Sequence, residues 1–294
     1  MIKKGFSKLG VGLLYLLSLL PYFILYLIAD VLFFFIYYVV HYRRKVVQEN
    51  LANAFPEISL AERQAIEKKY FRFLADLIME TIKLTTLSPE ETVKRVDVRD
   101  EMLLNNVAFK QGKSIIAAVG HYGNWESGCL RMGLVAERPC IIAYKPLSNP
   151  VFDKFFLDVR SRFGAILVPM KGTFRKVVEY RNQVTLTVLA GDQTPTRGET
   201  TYFTSFLNQP TAVFLGVEKL ARATDSLVVF CDVRRVKRGY YSCTFVPLFD
   251  NPKLTAEYEI TNAHVQYLEK VIREEPEYWL WSHRRWKFKP ADIN

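Results

Sequence analysis

The stretch SIIAAVGHYGNWE, residues 114–126, decides how this chain is read. Its apolar run, Ile115 to Val119, is short and closed by Gly120, which favours a buried strand over a helix. Gly120 and Gly123 relax the backbone on both sides of His121 and allow a sharp turn. Asn124 suits an N-cap, and Glu126 falls in the first helical turn, where a carboxylate meets the positive end of the helix dipole. The sequence therefore predicts a strand, a turn and a helix. It puts an imidazole at the carboxyl end of a strand, the edge where open α/β sheets bind ligands. The spacing to the acid is cheap by itself, because His264 also precedes a glutamate, Glu269, by five residues. That second pair lies inside an expected helix, Leu254 to Arg273, where positions five apart do not face each other.

The pattern continues to alternate downstream. Strands are expected over Cys140–Tyr144, Ala165–Val168, Val184–Leu189 and Leu227–Val233, with helices over Asn149–Phe163, Thr173–Tyr180 and Pro210–Arg222 between them. A basic turn, RRVKRG (residues 234–239), leads into Tyr240–Val246 as an antiparallel hairpin. This alternation predicts an α/β fold: a mostly parallel central sheet flanked by helices. Upstream, Leu60–Leu84 has the 3.6-residue period of an amphipathic helix. Shorter helices are expected from Ser88 and over Glu101–Lys110, and ENLANAFP (residues 49–56) reads as a turn-rich link.

Val11 to Val40 is almost wholly apolar, with Asp30 its single charge and Pro21 in its first half. As one helix it would be roughly 45 Å long at 1.5 Å per residue, more than the about 30 Å of a bilayer's hydrocarbon core. It must tilt, kink at Pro21 or extend past the membrane near Asp30. The run is too long for a cleaved signal peptide and no small-residue cleavage site follows it. The chain thus divides into an N-terminal membrane-anchoring helix, residues 1–45, and a catalytic domain, residues 46–294. Basic residues flank both ends of the run, so charge assigns no orientation.

Forty Lys+Arg against 30 Asp+Glu give a net charge of +10, which suits nucleic acid, anionic lipid or an acidic protein. With no RNA-binding motif, zinc spacing or basic arm, nucleic acid is disfavoured, and no metal or cofactor is implied. Cys129, Cys140, Cys231 and Cys243 form no C-x-x-C pair and read as core thiols of a reducing compartment.

Four places carry possible chemistry. A neutral His121 is a natural general base, and a carboxylate on its other ring nitrogen would fix the tautomer. Glu126 is the first candidate for that acid. AGDQTP, residues 190–195, follows a strand and puts Asp192 at the same sheet edge, as a second carboxylate for His121 or a contact to a substrate hydroxyl; Gln193 and Asn124 are further substrate-contact positions. Arg160, in DVRSRFGA (residues 158–165), is suited to binding a phosphate through both arms of its guanidinium. The tail PEYWLWSHRRWKFKP, residues 276–290, interleaves Trp and Tyr with cations, as a membrane interface favours. No G-x-S-x-G elbow is present, and Cys129 lies within a helix, so direct attack by an acceptor hydroxyl is more economical than a covalent enzyme intermediate.

These motifs together resemble the lipid A late acyltransferases, the lauroyl and myristoyl transferases of Gram-negative bacteria within the lysophospholipid acyltransferase superfamily. The resemblance runs in order through the apolar anchor, ENLANAFPE, GHYGNWE with its H-x-x-x-x-D/E, RSRFG, GDQ, FLNQPTAVFLGVEKLARAT and PEYWLWSHRRWK. It implies transfer of a fatty acyl chain from acyl carrier protein to a hydroxyl of a lipid A precursor. It places the catalytic domain on the cytoplasmic face of the bacterial inner membrane. His121 matches the family's base and Glu126 its partner, with Arg160 and Asp192 as supporting positions. In some relatives a carboxylate near Asp192 orients the histidine instead, so the resemblance leaves that acid open. FLNQPTA departs from the FFG of some members, and glycerophospholipid or aminolipid acceptors remain alternatives.

Overall fold

A computed structural model describes residues 2–99 and 112–292; the helix expected over Glu101–Lys110 lies outside the described residues. The strands are β1 (Val96–Val98), β2 (Ile115–Val119), β3 (Cys140–Tyr144), β4 (Ile166–Pro169), β5 (Leu186–Ala190), β6 (Phe203–Phe206), β7 (Gln209–Ala212), β8 (Leu227–Lys237) and β9 (Tyr240–Phe249). Seven of them form one sheet in the order β1-β9-β8-β2-β5-β3-β4, and β6 and β7 form a separate hairpin. Within the large sheet every pairing is parallel except β8 with β9. The expected α/β architecture is what the chain adopts. All five residues of β2 are buried because both faces of the sheet are covered. Ile116 and Ala118 join one core, and Ile115, Ala117 and Val119 join the other, the two-residue alternation of a strand.

The helices are α1 (Ile2–Leu19), α2 (Tyr22–Phe34), α3 (Arg44–Ala54), α4 (Leu60–Lys83), α5 (Pro89–Arg95), α6 (Trp125–Val135), α7 (Pro150–Arg160), α8 (Thr173–Glu179), α9 (Gly216–Thr224) and α10 (Glu259–Glu274). The apolar N-terminal run is not one helix. Pro21 lacks an N–H and disfavours helical geometry at the residue before it, so α1 ends at Leu19 and Pro21 becomes the N-cap of α2. Tyr22–Val39, made of α2 and a π-helical turn over Phe35–Val39, is long and apolar enough to cross a membrane, with a mean hydropathy of 2.1. Leu25, Ala29, Phe33 and Tyr37, spaced four apart, are buried, and α2 packs on α4. Phe23, Leu27, Val31 and Phe34 on the other side are exposed. Asp30, the lone charge of the run, accepts from Arg238 at 2.8 Å.

Three expectations fail for identifiable reasons. Residues 49–56 are mostly helix α3, because Val47, Leu51 and Ala54 supply a buried stripe that outweighs the two asparagines. Pro210 lies in a strand, not a helix. Leu207 (φ 49°) and Asn208 (φ 62°) make a two-residue turn with both φ positive, which closes β6 onto β7, and helix begins only at Gly216. The tail is not an interfacial belt. Trp279 and Trp281 are buried in the core, and the three indole N–H groups donate inside the protein: Trp279 to Asp192, Trp281 to the Pro276 carbonyl and Trp286 to Thr211.

Candidate active site

β2 and β5 are adjacent and parallel, with Val119 opposite Ala190. His121 and Asp192 each lie two residues past those positions, so the register of the sheet brings them together. His121 Nδ1 donates to Asp192 Oδ1 at 2.6 Å, and the His121 backbone N–H donates to Oδ2 at 2.8 Å. Trp279 Nε1 donates to the same Oδ2 at 2.9 Å. Of the two carboxylates the sequence offered, Asp192 is therefore the one on the imidazole. Burial opposes its charge, but the His121 ring, the two His121 hydrogen bonds and the Trp279 hydrogen bond outweigh burial and hold its pKa down to about 2. The converse acts on His121: burial pulls its pKa down, and the negative charges of Asp192 and Glu126 push it above the ordinary value.

The turn itself depends on two glycines. Gly123 has φ +58°, and a Cβ there would sit 2.5 Å from the Val233 carbonyl oxygen. A Cβ on Gly120 would meet Leu268 of α10 at 2.6 Å. The tail then clamps the turn from outside: Gly123 N–H donates to the Tyr278 carbonyl and Leu280 N–H to the His121 carbonyl. Thr194 is held by the same tail, donating its N–H to His283 Nε2 at 3.1 Å and its hydroxyl to the Arg285 carbonyl at 2.7 Å. The aromatic-basic tail thus fixes both loops that carry the histidine–aspartate pair, a task its composition did not reveal.

Glu126, in the first turn of α6, pairs with Arg160 at the end of α7. Arg160 Nε and Nη2 donate to its two carboxylate oxygens at 2.7 and 2.5 Å. Asn124 points into the core, not toward solvent. It is wholly buried, its Oδ1 caps Ser127 N–H and its Nδ2 donates to Glu80 Oε2 at 2.8 Å. Glu80 is itself buried, with a pKa raised by burial despite hydrogen bonds from Tyr241 and Asn124. Sequence reasoning missed Glu80, since nothing in the period of α4 marks that position as more than core. Gln193 does reach the histidine, its amide Nε2 donating to His121 Nε2 at 3.1 Å. With Nδ1 donating to Asp192, this leaves the neutral ring with its lone pair on Nε2.

His121, Glu126, Arg160 and Gln193 line a cleft of about 960 Å³ along the carboxyl edge of the sheet, whose walls include Ile142, Leu167, Phe174, Leu189 and Leu220. This is at the upper end of the roughly 300–1,000 Å³ of small-molecule sites. Cys129 also lines the cleft, but burial pushes its thiol up to about 12, which makes it a poor nucleophile at neutral pH. The arginines of the 234–239 turn are engaged internally, Arg234 with Asp232 and Glu274, Arg235 with Asp76, and Arg238 with Asp76 and Asp30. That turn therefore presents less free positive charge than its sequence suggests.

The chain is 28% identical over 300 residues to the lipid A biosynthesis lauroyltransferase of Escherichia coli (strain K12), spanning 97% of this chain and 92% of that protein. It is 25% identical over 289 residues to the lipid A biosynthesis palmitoleoyltransferase of the same organism, spanning 96% and 91%. A shorter match, 32% identical over 124 residues, joins it to that organism's lipid A biosynthesis myristoyltransferase and spans 40% of this chain and 36% of the relative. The family model of the bacterial lipid A biosynthesis acyltransferases matches residues 1–288. A near full-length match of this kind, on a chain with a paired histidine at the mouth of an apolar cleft, means that the protein is an acyltransferase and belongs to the bacterial lipid A biosynthesis acyltransferase family.

Proposed function

We propose that this acyltransferase moves a fatty acyl chain from acyl carrier protein to a hydroxyl of a lipid A precursor, with His121 as general base. The observation that carries the reading is the His121–Asp192 hydrogen bond, set at the mouth of a cleft with apolar walls. The acceptor hydroxyl takes the place that the Gln193 amide occupies at His121 Nε2. As the hydroxyl oxygen attacks the thioester carbonyl, His121 takes its proton and Asp192 stabilises the imidazolium. The C–S bond then breaks, and His121 returns the proton to the leaving thiolate. The His121 and Gly123 N–H groups are already donated to Asp192 and Tyr278, so the turn is a poor oxyanion site. Arg160, fixed by Glu126, is better placed to meet the developing oxyanion or a substrate phosphate. Glu126 acts through Arg160.

Residues 1–45 serve as the anchor in this reading. The exposed apolar faces of α1 and α2 rest in the inner membrane, and the catalytic domain, residues 46–294, lies on its cytoplasmic side. Lys145 and Lys219 at the cleft suit an acidic carrier protein. The test is purified protein with acyl carrier protein and CoA thioesters against lipid A precursor and glycerophospholipid acceptors. His121→Ala is expected to lower turnover on the lipid A precursor by about a thousandfold, within the range of general-base catalysis. Full activity in that variant would sink the mechanism, and transfer only to a glycerophospholipid would sink the acceptor.

A further inference from the structure

Beside Asp192 lies a small chamber of about 10 Å³ whose lining includes Gly191, Asp192, Phe206, Phe230, His264 and Arg285. Arg285 is 2% exposed. Its Nη2 donates to the Ala212 carbonyl at 2.6 Å, while Nε and Nη1 have no hydrogen-bond partner among the described residues. His264, 5% exposed, likewise has a buried Nε2 with no hydrogen-bond partner among the described residues. Its ring packs against Gly191, where a Cβ would be 3.7 Å from His264 Cε1. A buried guanidinium with two unused donor nitrogens and a buried imidazole with an unused nitrogen are both costly unless something pairs them. A water needs about 10–15 Å³ and two to four polar partners. The chamber supplies both, and it is too small for an organic ligand.

We propose that this chamber is a specific site for one water molecule, which accepts from Arg285 and donates to His264 Nε2, and that Arg285 is a positioning residue holding Asp192 as the charged partner of His121. Arg285 meets the reaction centre through the charge of Asp192. Its backbone is fixed by Thr194, two residues beyond Asp192, so the same segment supplies both the charge and the loop geometry. Burial holds His264 neutral, with its pKa lowered to about 4, which leaves Nε2 free to accept. The titratable and charged groups facing the chamber and its neighbours are Asp192 from the loop after β5, Glu218 from α9, and Arg285 and His283 from the tail; His121 is also faced by Glu126 and Arg160. The role assigned to Arg285 rests on His121 being the base, whereas the water site does not.

The test uses the full-length protein in detergent, labelled at its four histidines and titrated by NMR, with His121 assigned from its loss in His121→Ala. In Arg285→Met the imidazolium of His121 sits in a more negative field, so its midpoint is expected to rise by about half a unit to one unit. Turnover is expected to fall several-fold with KM unchanged. Arg285→Lys, which keeps the cation, returns the midpoint most of the way. An unchanged midpoint in a cooperatively melting Arg285→Met protein overturns the positioning role. A high-resolution crystal structure reads the site even if Arg285→Met does not fold: water density bonded to Arg285 and His264 supports it, and a dry chamber overturns it. Because the titration is read on His121 itself, activity surviving in His121→Ala would sink the general-base reading without altering this result.

Discussion

His121 and His264 are enclosed by the same protein, and each precedes a glutamate by five residues, yet their chemistry diverges. Burial pulls both pKa values down. At His264 little opposes it. Glu269 lies on another face of α10, where it pairs with Arg273 and accepts from Leu207 N–H, and the His264 pKa falls to about 4. At His121 a carboxylate from a neighbouring strand end lies 2.6 Å from Nδ1, and the pKa rises instead. The difference between a core histidine and a candidate base is thus one contact across the sheet, not the residue five places along the chain.

Asp192→Asn tests that contact most severely. Losing the charge lowers the His121 pKa and weakens stabilisation of the imidazolium. Turnover should drop by about a hundredfold or more, within the range of general acid–base effects, and the acid limb of the pH–rate profile should move to lower pH. A profile that stays in place would mean that His121 behaves like His264 and that Asp192 serves only the fold. Glu126 is the next partner to separate from the histidine. Because it is tied to Arg160, Arg160→Lys should cost about tenfold in kcat/KM through loss of the bidentate pair. The His121 titration should move little. A shift as large as that of Asp192→Asn would return Glu126 and Arg160 to the histidine's immediate circle.

The sheet class, the strand–turn–helix at His121 and most of the strands were legible because each rests on local periodicity. Asp192 was legible as a strand-end residue. Its hydrogen bond to His121 is legible only as one of two options beside Glu126, because the choice depends on β5 entering the sheet between β2 and β3, a long-range pairing that no local pattern encodes. Asn124 is legible as a cap, but its second hydrogen bond, to Glu80 on a helix 44 residues upstream, is not. The tail misled in a similar way. Tryptophan beside arginine suits a membrane interface as well as a core, and only the position of the tail against Asp192 separates the two.

That position gives a smaller test. Trp279→Phe removes the indole N–H from Asp192 but keeps most of the ring. A hydrogen bond to a charged group contributes about 1.5–3 kcal/mol, so the melting temperature should fall and turnover should drop a few-fold. Unchanged stability would show that the Trp279 N–H does not help to hold Asp192, and this indole would lose its part in the contrast between the two histidines.

The finest test concerns the sign of each histidine's contribution to stability. His121 has a raised folded pKa, so its contribution is full below the ordinary value of 6.5 and is lost as pH rises through the folded value. His264 runs the other way. Between about 4 and 6.5 the unfolded chain takes up a proton that the folded chain refuses, so stability falls as pH drops through that window. Integrated over the window, the loss is of the order of 3 kcal/mol. His283, also held near pKa 4 by burial, adds a term of the same sign that remains when His264 is changed. Thermal melts of the parent and of His264→Leu at pH 7 and pH 4.5 isolate the difference. The variant should be less stable at pH 7, where Arg285 loses its neighbour across the chamber, but should lose less on acidification. Parallel losses would mean that His264 protonates in place without unfolding the protein. Burial would then not be holding the His264 pKa down, and the contrast left for the carboxylate on Nδ1 to explain would be smaller.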